Sequence, residues 1–209
     1  RADWLLGRWT AKRAVAAVLG LPLDAIEIRA ASSGAPEVFL HDGPAPIAIS
    51  LSHSAGTALC STAPLGIQLG CDLETIEPRS DAFIADYFTV DEQALIESCS
   101  MDHRPLLIAL LWSGKESALK ALREGLRLDT RSVSVQPGSW IQSPFHANIW
   151  RPLQAHCESG QVFKGWWRAQ NKLVRTIVSD VPNAPPVKTL LATSRSPRAI
   201  WPPEQQSLR

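Results

Sequence analysis

The sequence predicts a globular α+β fold built from two similar halves. Three observations predict it: helical and strand patterns alternate along the chain, a helical segment precedes strands in both halves, and 45% of the 209 residues are hydrophobic while 20% are charged. A chain of this length and composition can bury a substantial core. Its apolar runs are shorter than the roughly 18 residues that cross a bilayer, so we expect no membrane span.

The N-terminal half, residues 1–78, begins with a helix and continues with strands. Apolar positions recur at helical spacing from Trp4 to Leu19, and Gly20 followed by Pro22 is typical of a helix end. Short segments bounded by turn residues then predict five strands, at 25–29, 37–40, 47–54, 58–63 and 67–74.

The C-terminal half, residues 79–182, repeats the order of helices before strands. Thr89 is followed three residues later by Glu92, a spacing that predicts a capping box at the start of a helix. Beyond residue 182 the chain is rich in Pro and Ser, and we expect residues 183–209 to form an extended tail. The predicted helices cover 81–86, 90–99 and 104–124, and the predicted strands cover 145–151, 161–170 and 173–179.

Cysteine spacing and charge restrict the compartment and the partners. No two of the four cysteines form a C-x-x-C pair, which argues against a zinc knuckle, a redox motif and a dense disulfide framework, and favours the reducing cytoplasm. The net charge is +1, but residues 1–122 carry 9 − 15 = −6 and residues 123–209 carry 12 − 5 = +7. The basic part can attract phosphates or an acidic protein surface, or can simply be solvated.

Two carboxylates lie side by side on the strand predicted over residues 67–74. Strand residues two apart share a face, so Asp72 and Glu74 are about 7 Å apart along the chain, while Cys71 and Leu73 face the opposite, core side. Like charges at this spacing repel, and a hard cation between them, Mg²⁺ or Mn²⁺, would relieve the repulsion. The alternative is a solvated acidic strand face.

The helix predicted over residues 104–124 contains W-S-G-K-E-S-A-L-K at 112–120. Lys115 falls inside its apolar arc, so either the lysine stem snorkels to the surface or an anionic ligand is held beside it. Glu116 lies at the edge of the arc and Lys120 follows it by four residues. Glu116 and Lys120 either belong to a functional site or form an ion pair that only stabilises the helix.

Ser52-His53-Ser54 ends a predicted strand in a region of small residues. Hydroxyl and imidazole donors at this place can contact phosphate oxygens, and the structural alternative is a strand-end cap. A nucleophilic Ser-His-Asp site has no support, because the G-x-S-x-G pattern is absent.

The strands predicted between residues 161 and 179 mix aromatic and basic side chains. Such side chains can stack on the bases of single-stranded nucleic acid. The alternation of Val162 and Trp166 is more typical of a core strand, so we expect no nucleic-acid binding. The mixed set is Lys164, Trp166, Trp167, Arg168, Lys172 and Arg175.

Four motifs occur in one order along the chain: S-H-S at 52–54, G-C-D-L-E at 70–74, F-T-V-D-E at 88–92 and W-S-G-K-E-S-A-L-K at 112–120. Together they resemble the 4'-phosphopantetheinyl transferases, specifically the double-length Sfp-like group. The resemblance implies that family's fold, two α/β halves related by pseudo-twofold symmetry within one monomeric chain. It also implies a holo-[acyl-carrier-protein] synthase that moves phosphopantetheine from coenzyme A to a serine of an apo acyl, peptidyl or aryl carrier protein, releasing adenosine 3',5'-bisphosphate.

The resemblance also implies roles for single residues. Asp72, Glu74 and Glu116 look like the Mg²⁺ ligands, and Glu116 is similar to the residue proposed in the family as general base, directly or through a metal-bound water. Asp72 and Lys120 complete the implied catalytic group. The implied contacts to the coenzyme A phosphates are Ser52, His53, Lys115 and Lys120.

One turn departs from the family pattern. Many relatives carry G-K-P, whose lysine helps to bind the 3'-phosphate, whereas this chain has Ala35 between Gly34 and Pro36. Basic residues on the first helix are candidates to compensate, namely Arg8, Lys12 and Arg13. The missing lysine also supports a second interpretation, a non-catalytic carrier-binding module that retains the fold.

Overall fold

The computed structural model of the protein describes residues 2–124, 127–138, 149–182 and 191–193. Within these ranges the helices are α1 (Ala2–Leu19), α2 (Asp81–Tyr87), α3 (Val90–Ser98) and α4 (Arg104–Ala121). The strands are β1 (Glu27–Ala30), β2 (Pro36–Leu40), β3 (Gly43–Pro44), β4 (Ile47–Ser54), β5 (Thr57–Pro64), β6 (Leu69–Thr75), β7 (Val133–Pro137), β8 (Arg151–Cys157), β9 (Val162–Gln170), β10 (Leu173–Ser179) and β11 (Leu191–Thr193).

The strands form three antiparallel sheets. A small sheet has the order β1-β2-β3, a second has the order β11-β5-β4, and a five-stranded sheet has the order β6-β10-β9-β8-β7. α1 packs against β4 and β5, and α4 packs across the five-stranded sheet on β6, β10 and β7. The predicted mixture of helices and antiparallel strands is confirmed. β6 precedes α2 in sequence but belongs to the sheet formed mainly by strands that follow α4.

The three larger of the four clusters of buried side chains in the described part of the chain hold these layers together. The largest lies between α4 and the five-stranded sheet and includes Leu111 and Phe163. A second lies beneath α1. A third connects two sheets, because Leu59 of β5 packs with Leu73 of β6 and Ile177 of β10. Burial of these apolar surfaces provides the main favourable free energy of folding.

α4 lies directly on β6 because β6 has a glycine at the crossing. A Cβ atom at Gly70 would lie 1.8 Å from the backbone oxygen of Ser117, so any other residue would displace the helix. Hydroxyl contacts then fix the helix on β10: the Thr176 hydroxyl oxygen is 2.8 Å from that of Ser113 and 2.6 Å from that of Ser117. This packing sets α4 against the strand that carries the acidic motif.

β4 meets β6 through serine side chains. The Ser50 hydroxyl accepts the Cys71 N–H at 2.9 Å, and the Ser52 hydroxyl accepts the Leu73 N–H at 3.2 Å. The two serines face the same way because strand residues two apart share a face. Side-chain hydroxyls therefore connect the β4 sheet to the edge of the five-stranded sheet.

The capping box predicted at the start of α3 is confirmed. The Thr89 hydroxyl accepts the Glu92 N–H at 3.3 Å, and the Glu92 carboxylate accepts the Thr89 N–H at 2.9 Å. The last predicted helix is shorter than expected and ends at Ala121. Among the described residues, none of the helices is both long and apolar enough to span a bilayer.

The strands after α4 differ most from the prediction. β7 and β8 were not predicted, and the strand expected over 145–151 overlaps β8 only at Arg151. Residues 145–148 of that prediction lie outside the described residues. Both strands contain proline, Pro137 and Pro152, which is more typical of loops, and β7 tolerates it because it lies at the sheet edge. Within the predicted tail, the described residues 191–193 pair with β5.

Candidate active site

Asp72 lies where β4, β6 and α4 meet, and it is buried. Its Oδ1 accepts a hydrogen bond from the Ser52 hydroxyl at 2.8 Å and one from the Lys120 ammonium at 2.6 Å. Its Oδ2 is buried and has no hydrogen-bond partner among the described residues. A buried carboxylate oxygen without a partner is costly, and a cation or hydrogen-bond donor bound at this atom would lower that cost.

Glu74 shares the α4 side of β6 with Asp72, as the alternation of the strand predicts. Arg79 lies 3.4 Å from its carboxylate, and the Trp112 side chain donates a hydrogen bond to it. Burial, followed by the charge of Asp72, raises the pKa of Glu74 to about 7, although Arg79 and Trp112 act in the opposite direction. A cation close to both carboxylates would favour the charged form of Glu74.

α4 contributes Glu116 and Lys120 to the same region, with 4.0 Å between the carboxylate and the ammonium. Burial raises the pKa of Glu116, the charge of Asp72 raises it further, and Lys120 lowers it. Burial acts to lower the pKa of Lys120, but the attraction and hydrogen bond of Asp72 outweigh burial, and the pKa is raised. Lys120 therefore remains protonated beside the acidic groups.

The donor chemistry of this region fits a hard divalent cation such as Mg²⁺. Asp72, Glu74 and Glu116 offer only carboxylate oxygens, the ligands that Mg²⁺ prefers, and the Asp72 Oδ2 accepts no hydrogen bond from the part of the chain that the structure describes. The charge of Asp72 raises the pKa of both Glu74 and Glu116, so the three groups lie close together. Within the described ranges, however, no three His, Cys, Asp or Glu side chains have the spacing of an assembled metal site.

Comparison with known families assigns the chain to one of them. Residues 68–172, just over half of the chain, match the 4'-phosphopantetheinyl transferase superfamily. The chain belongs to this superfamily. The matched region contains β6 and α4, so it includes all four charged groups that converge at their crossing. No individual curated protein matches the chain.

Lys115 makes none of these contacts, and its own partners contradict its predicted contact with a phosphate. The residue is completely buried, and its ammonium pairs with the Glu92 carboxylate at 2.7 Å. It also donates to the backbone oxygens of Thr130, at 3.0 Å, and Val133. An ammonium has three hydrogens, and here protein groups accept all of them. The lysine therefore neither snorkels nor faces a ligand.

Ser52 also differs from its predicted role as a phosphate contact. Its one hydroxyl proton goes to Asp72, so the side chain orients the carboxylate and has no proton left for a phosphate oxygen. His53 is exposed on β4, on the opposite side from Ser52. The structure describes no contact between His53 and the carboxylates.

The α1 arginines contact their own half of the chain. Arg8 donates to the backbone oxygen of Ile28, and its guanidinium lies 4.3 Å from the Trp4 ring centre. Arg13 lies 5.0 Å from the ring centre of Trp9. Their proposed role as contacts for the coenzyme A 3'-phosphate remains a prediction.

Sequence reasoning missed two residues that hold Glu74, namely Arg79 and Trp112. Arg79 lies in the segment between β6 and α2, and nothing in its spacing indicates which carboxylate it contacts. Trp112 opens the W-S-G-K-E motif, and its place four residues before Glu116 on one helix face was the available signal. The alternation of Ser50 and Ser52 could also have indicated a polar face on β4.

Proposed function

We propose that the protein transfers 4'-phosphopantetheine from coenzyme A to a serine hydroxyl of an apo carrier protein in a Mg²⁺-dependent reaction. The observation that carries the proposal is the convergence of Asp72, Glu74, Glu116 and Lys120 at the β6–α4 crossing, inside the region that matches the superfamily. Acidic groups suit a metal, and the adjacent lysine suits phosphate oxygens.

Asp72, Glu74 and Glu116 would hold the Mg²⁺, with the Asp72 Oδ2 as the most readily available donor. When bound, the ion supplies charge neutralisation for the diphosphate of coenzyme A. Ser52 keeps the Asp72 side chain oriented through its hydrogen bond to Oδ1. Arg79 and Trp112 restrain the Glu74 side chain from the other side.

Glu116 is the candidate proton acceptor, and Lys120 is the candidate phosphate contact. The carrier serine oxygen bonds to the β-phosphorus of coenzyme A, the bond from that phosphorus to the bridging oxygen breaks, and adenosine 3',5'-bisphosphate leaves. The serine proton passes to Glu116, whose pKa is raised by burial, so it accepts a proton more readily than an ordinary carboxylate. Positioning and charge neutralisation provide most of the rate enhancement.

The finer organisation is also a proposal. We place the chain in the double-length Sfp-like group, with halves at residues 1–78 and 79–182 related by pseudo-twofold symmetry and a tail at 183–209. A chain that contains both halves needs no second copy, which supports a monomer. All four cysteines are free thiols, which supports a reducing cytoplasm.

A second candidate is a non-catalytic module that binds carrier proteins. Two observations favour it: Ala35 stands where many relatives have a phosphate-binding lysine, and Lys115 is bonded internally. Both reduce the number of cations that could neutralise coenzyme A. This candidate predicts affinity for a carrier protein and an unmodified carrier serine.

Mass spectrometry of the carrier separates the two functions. The protein, coenzyme A, Mg²⁺ and apo carriers from fatty-acid, polyketide and peptide pathways are incubated together, and we expect one carrier to gain the mass of phosphopantetheine. Asp72→Ala should reduce the initial rate by about 100-fold or more, because it removes a proposed ligand of the Mg²⁺ that neutralises the diphosphate. Chelation of the metal should have the same effect.

Glu97→Ala is the matched control, because Glu97 is an exposed acidic residue on α3 and belongs to neither β6 nor α4. Its rate should equal that of the unmodified protein, and circular dichroism should show that Asp72→Ala is folded. Carrier binding without any gain in mass across the panel would support the non-catalytic module. An Asp72→Ala protein that is folded and fully active would exclude the proposed site.

A further inference from the structure

Two arginines lie side by side on the face of the five-stranded sheet opposite α4. Arg175 of β10 is directly opposite Arg168 of β9 in the antiparallel register, and Leu73 of β6 is the partner of Arg175 on its other side. The Arg168 guanidinium lies 4.8 Å from the ring centre of Trp150. Arg175 shares this face with Ile177, which packs toward β5, whereas the alternate residues of β10 face α4.

The two guanidinium groups have no counter-charge in the part of the chain that the structure describes. Arg175 is only 2% exposed, and its one described side-chain hydrogen bond goes from Nη1 to the Gln170 side-chain oxygen at 3.1 Å. The Nε atoms of Arg168 and Arg175 are both buried and have no hydrogen-bond partner among the described residues. No described carboxylate forms an ion pair with either arginine.

This arrangement is unfavourable unless an anion joins it. Like charges directly opposite in a sheet destabilise the pair, and a buried charge without a partner is more costly still. Burial lowers the pKa of both arginines, and the charge of Arg168 lowers that of Arg175 further. Arginine nevertheless stays protonated in proteins, so two positive charges remain to be compensated.

The chain has few acidic groups left to supply that anion. After residue 138 the sequence contains three acidic side chains, Glu158, Asp180 and Glu204. Glu158 is exposed, and the Asp180 carboxylate accepts the Gln68 N–H at 3.1 Å. Glu204 lies outside the described residues and is the internal alternative that an experiment has to test.

We propose that Arg168 and Arg175 form a binding site for inorganic phosphate or a phosphate monoester, on the opposite face of the sheet from Asp72. The edge of a guanidinium that contains Nε is one of the edges that bind phosphate through two parallel hydrogen bonds. Two positive charges match the charge of about −1.5 to −2 that a phosphate monoester carries near pH 7. A single carboxylate would leave one positive charge uncompensated. The site is independent of the proposed transferase reaction.

Titration of the full chain with inorganic phosphate at constant ionic strength tests the site, with binding measured by calorimetry. We expect saturable binding to one site and at least tenfold weaker binding to Arg168→Gln. Arg168→Lys should also bind more weakly, because lysine keeps the charge but loses the planar pair of donors. Arg151→Gln is the matched control: Arg151 also lies over an indole, 5.4 Å from the Trp167 ring centre, and its loss should leave binding unchanged.

The half-buried Arg168 carries the test, because a variant of the buried Arg175 can fail to fold. Absence of binding to the unmodified chain, or equal affinity in Arg168→Gln, would overturn the proposal. Glu204→Gln tests the internal alternative: if only this variant binds phosphate, the chain's own carboxylate occupies the arginines and the proposal is wrong. Asp72→Ala should retain phosphate binding, which separates this result from failure of the transferase proposal.

Discussion

Two lysines on one helix, α4, belong to two different electrostatic regions. Lys115 is completely buried, and protein groups accept all three of its hydrogens. Lys120 is partly exposed and pairs with Asp72, whose second oxygen has no partner among the described residues. The first region is closed and stabilises the fold of the second half. The second is the proposed ligand site, and the two regions can be distinguished by whether loss of the lysine lowers the free energy of unfolding or the reaction rate.

The largest expected effect is on stability, in Lys115→Met. Removing one partner of a buried ion pair leaves the Glu92 charge uncompensated, and we expect the free energy of unfolding to fall by about 3–5 kcal/mol. Urea denaturation followed by circular dichroism measures the change. The double variant Lys115→Met/Glu92→Gln should lose less than the sum of the single changes, because it removes both charges.

A different outcome would restore the predicted ligand role of Lys115. Suppose that the free energy of unfolding of Lys115→Met is within about 1 kcal/mol of that of the unmodified protein, as for a surface substitution, and that the variant binds coenzyme A more weakly. Lys115 would then contact the ligand and would not be a purely structural ion-pair partner.

Lys120→Met should affect the reaction rate more than the stability. The value of kcat/KM for coenzyme A should fall about 10- to 100-fold, because one charge-assisted contact to a phosphate is lost. Its cost in stability should be smaller than that of Lys115→Met, because water reaches the partly exposed side chain. Steady-state kinetics and urea denaturation of the same preparations give both values.

Lys164→Met, a change of an exposed lysine on β9, is the control and should alter neither quantity. Unchanged kinetics in a folded Lys120→Met protein would remove the lysine from the proposed reaction.

The sequence could predict the acidic face of β6 but not the separation of the two lysines. Strand alternation places Asp72 and Glu74 together regardless of the rest of the fold, and the helical period places Glu116 near Lys120. The partner of Lys115 is different, because Glu92 is 23 residues away and its approach depends on how α3 packs on α4. The capping box explained Glu92 by a local contact with Thr89, so nothing in the sequence indicated its long-range contact with Lys115. The two strands after α4 were missed because their prolines resemble loop signals.

The smallest expected effect concerns Glu74 and the pH dependence of stability in the metal-free protein. Its pKa is raised to about 7 in the folded chain, above the ordinary value of 4.5, so between these values the folded state binds more protons than the unfolded state. Stability contributed by this group is therefore present at low pH and lost as pH rises through 7. Because the side chain is one-fifth exposed, we expect a loss on the order of 1 kcal/mol.

Glu74→Gln cannot ionise and should lack this part of the decline, so its advantage over the unmodified protein should grow between pH 5 and pH 8 in urea denaturation. Addition of Mg²⁺ at pH 8 should reduce that advantage. A cation bound beside the ionised carboxylates stabilises the unmodified chain, whereas the variant has one carboxylate ligand fewer and gains less. Parallel stability curves for the two proteins across this range would show that the pKa of Glu74 is not raised in the folded chain. In that case burial would not disfavour the charged form of Glu74, contrary to the contacts described for this site.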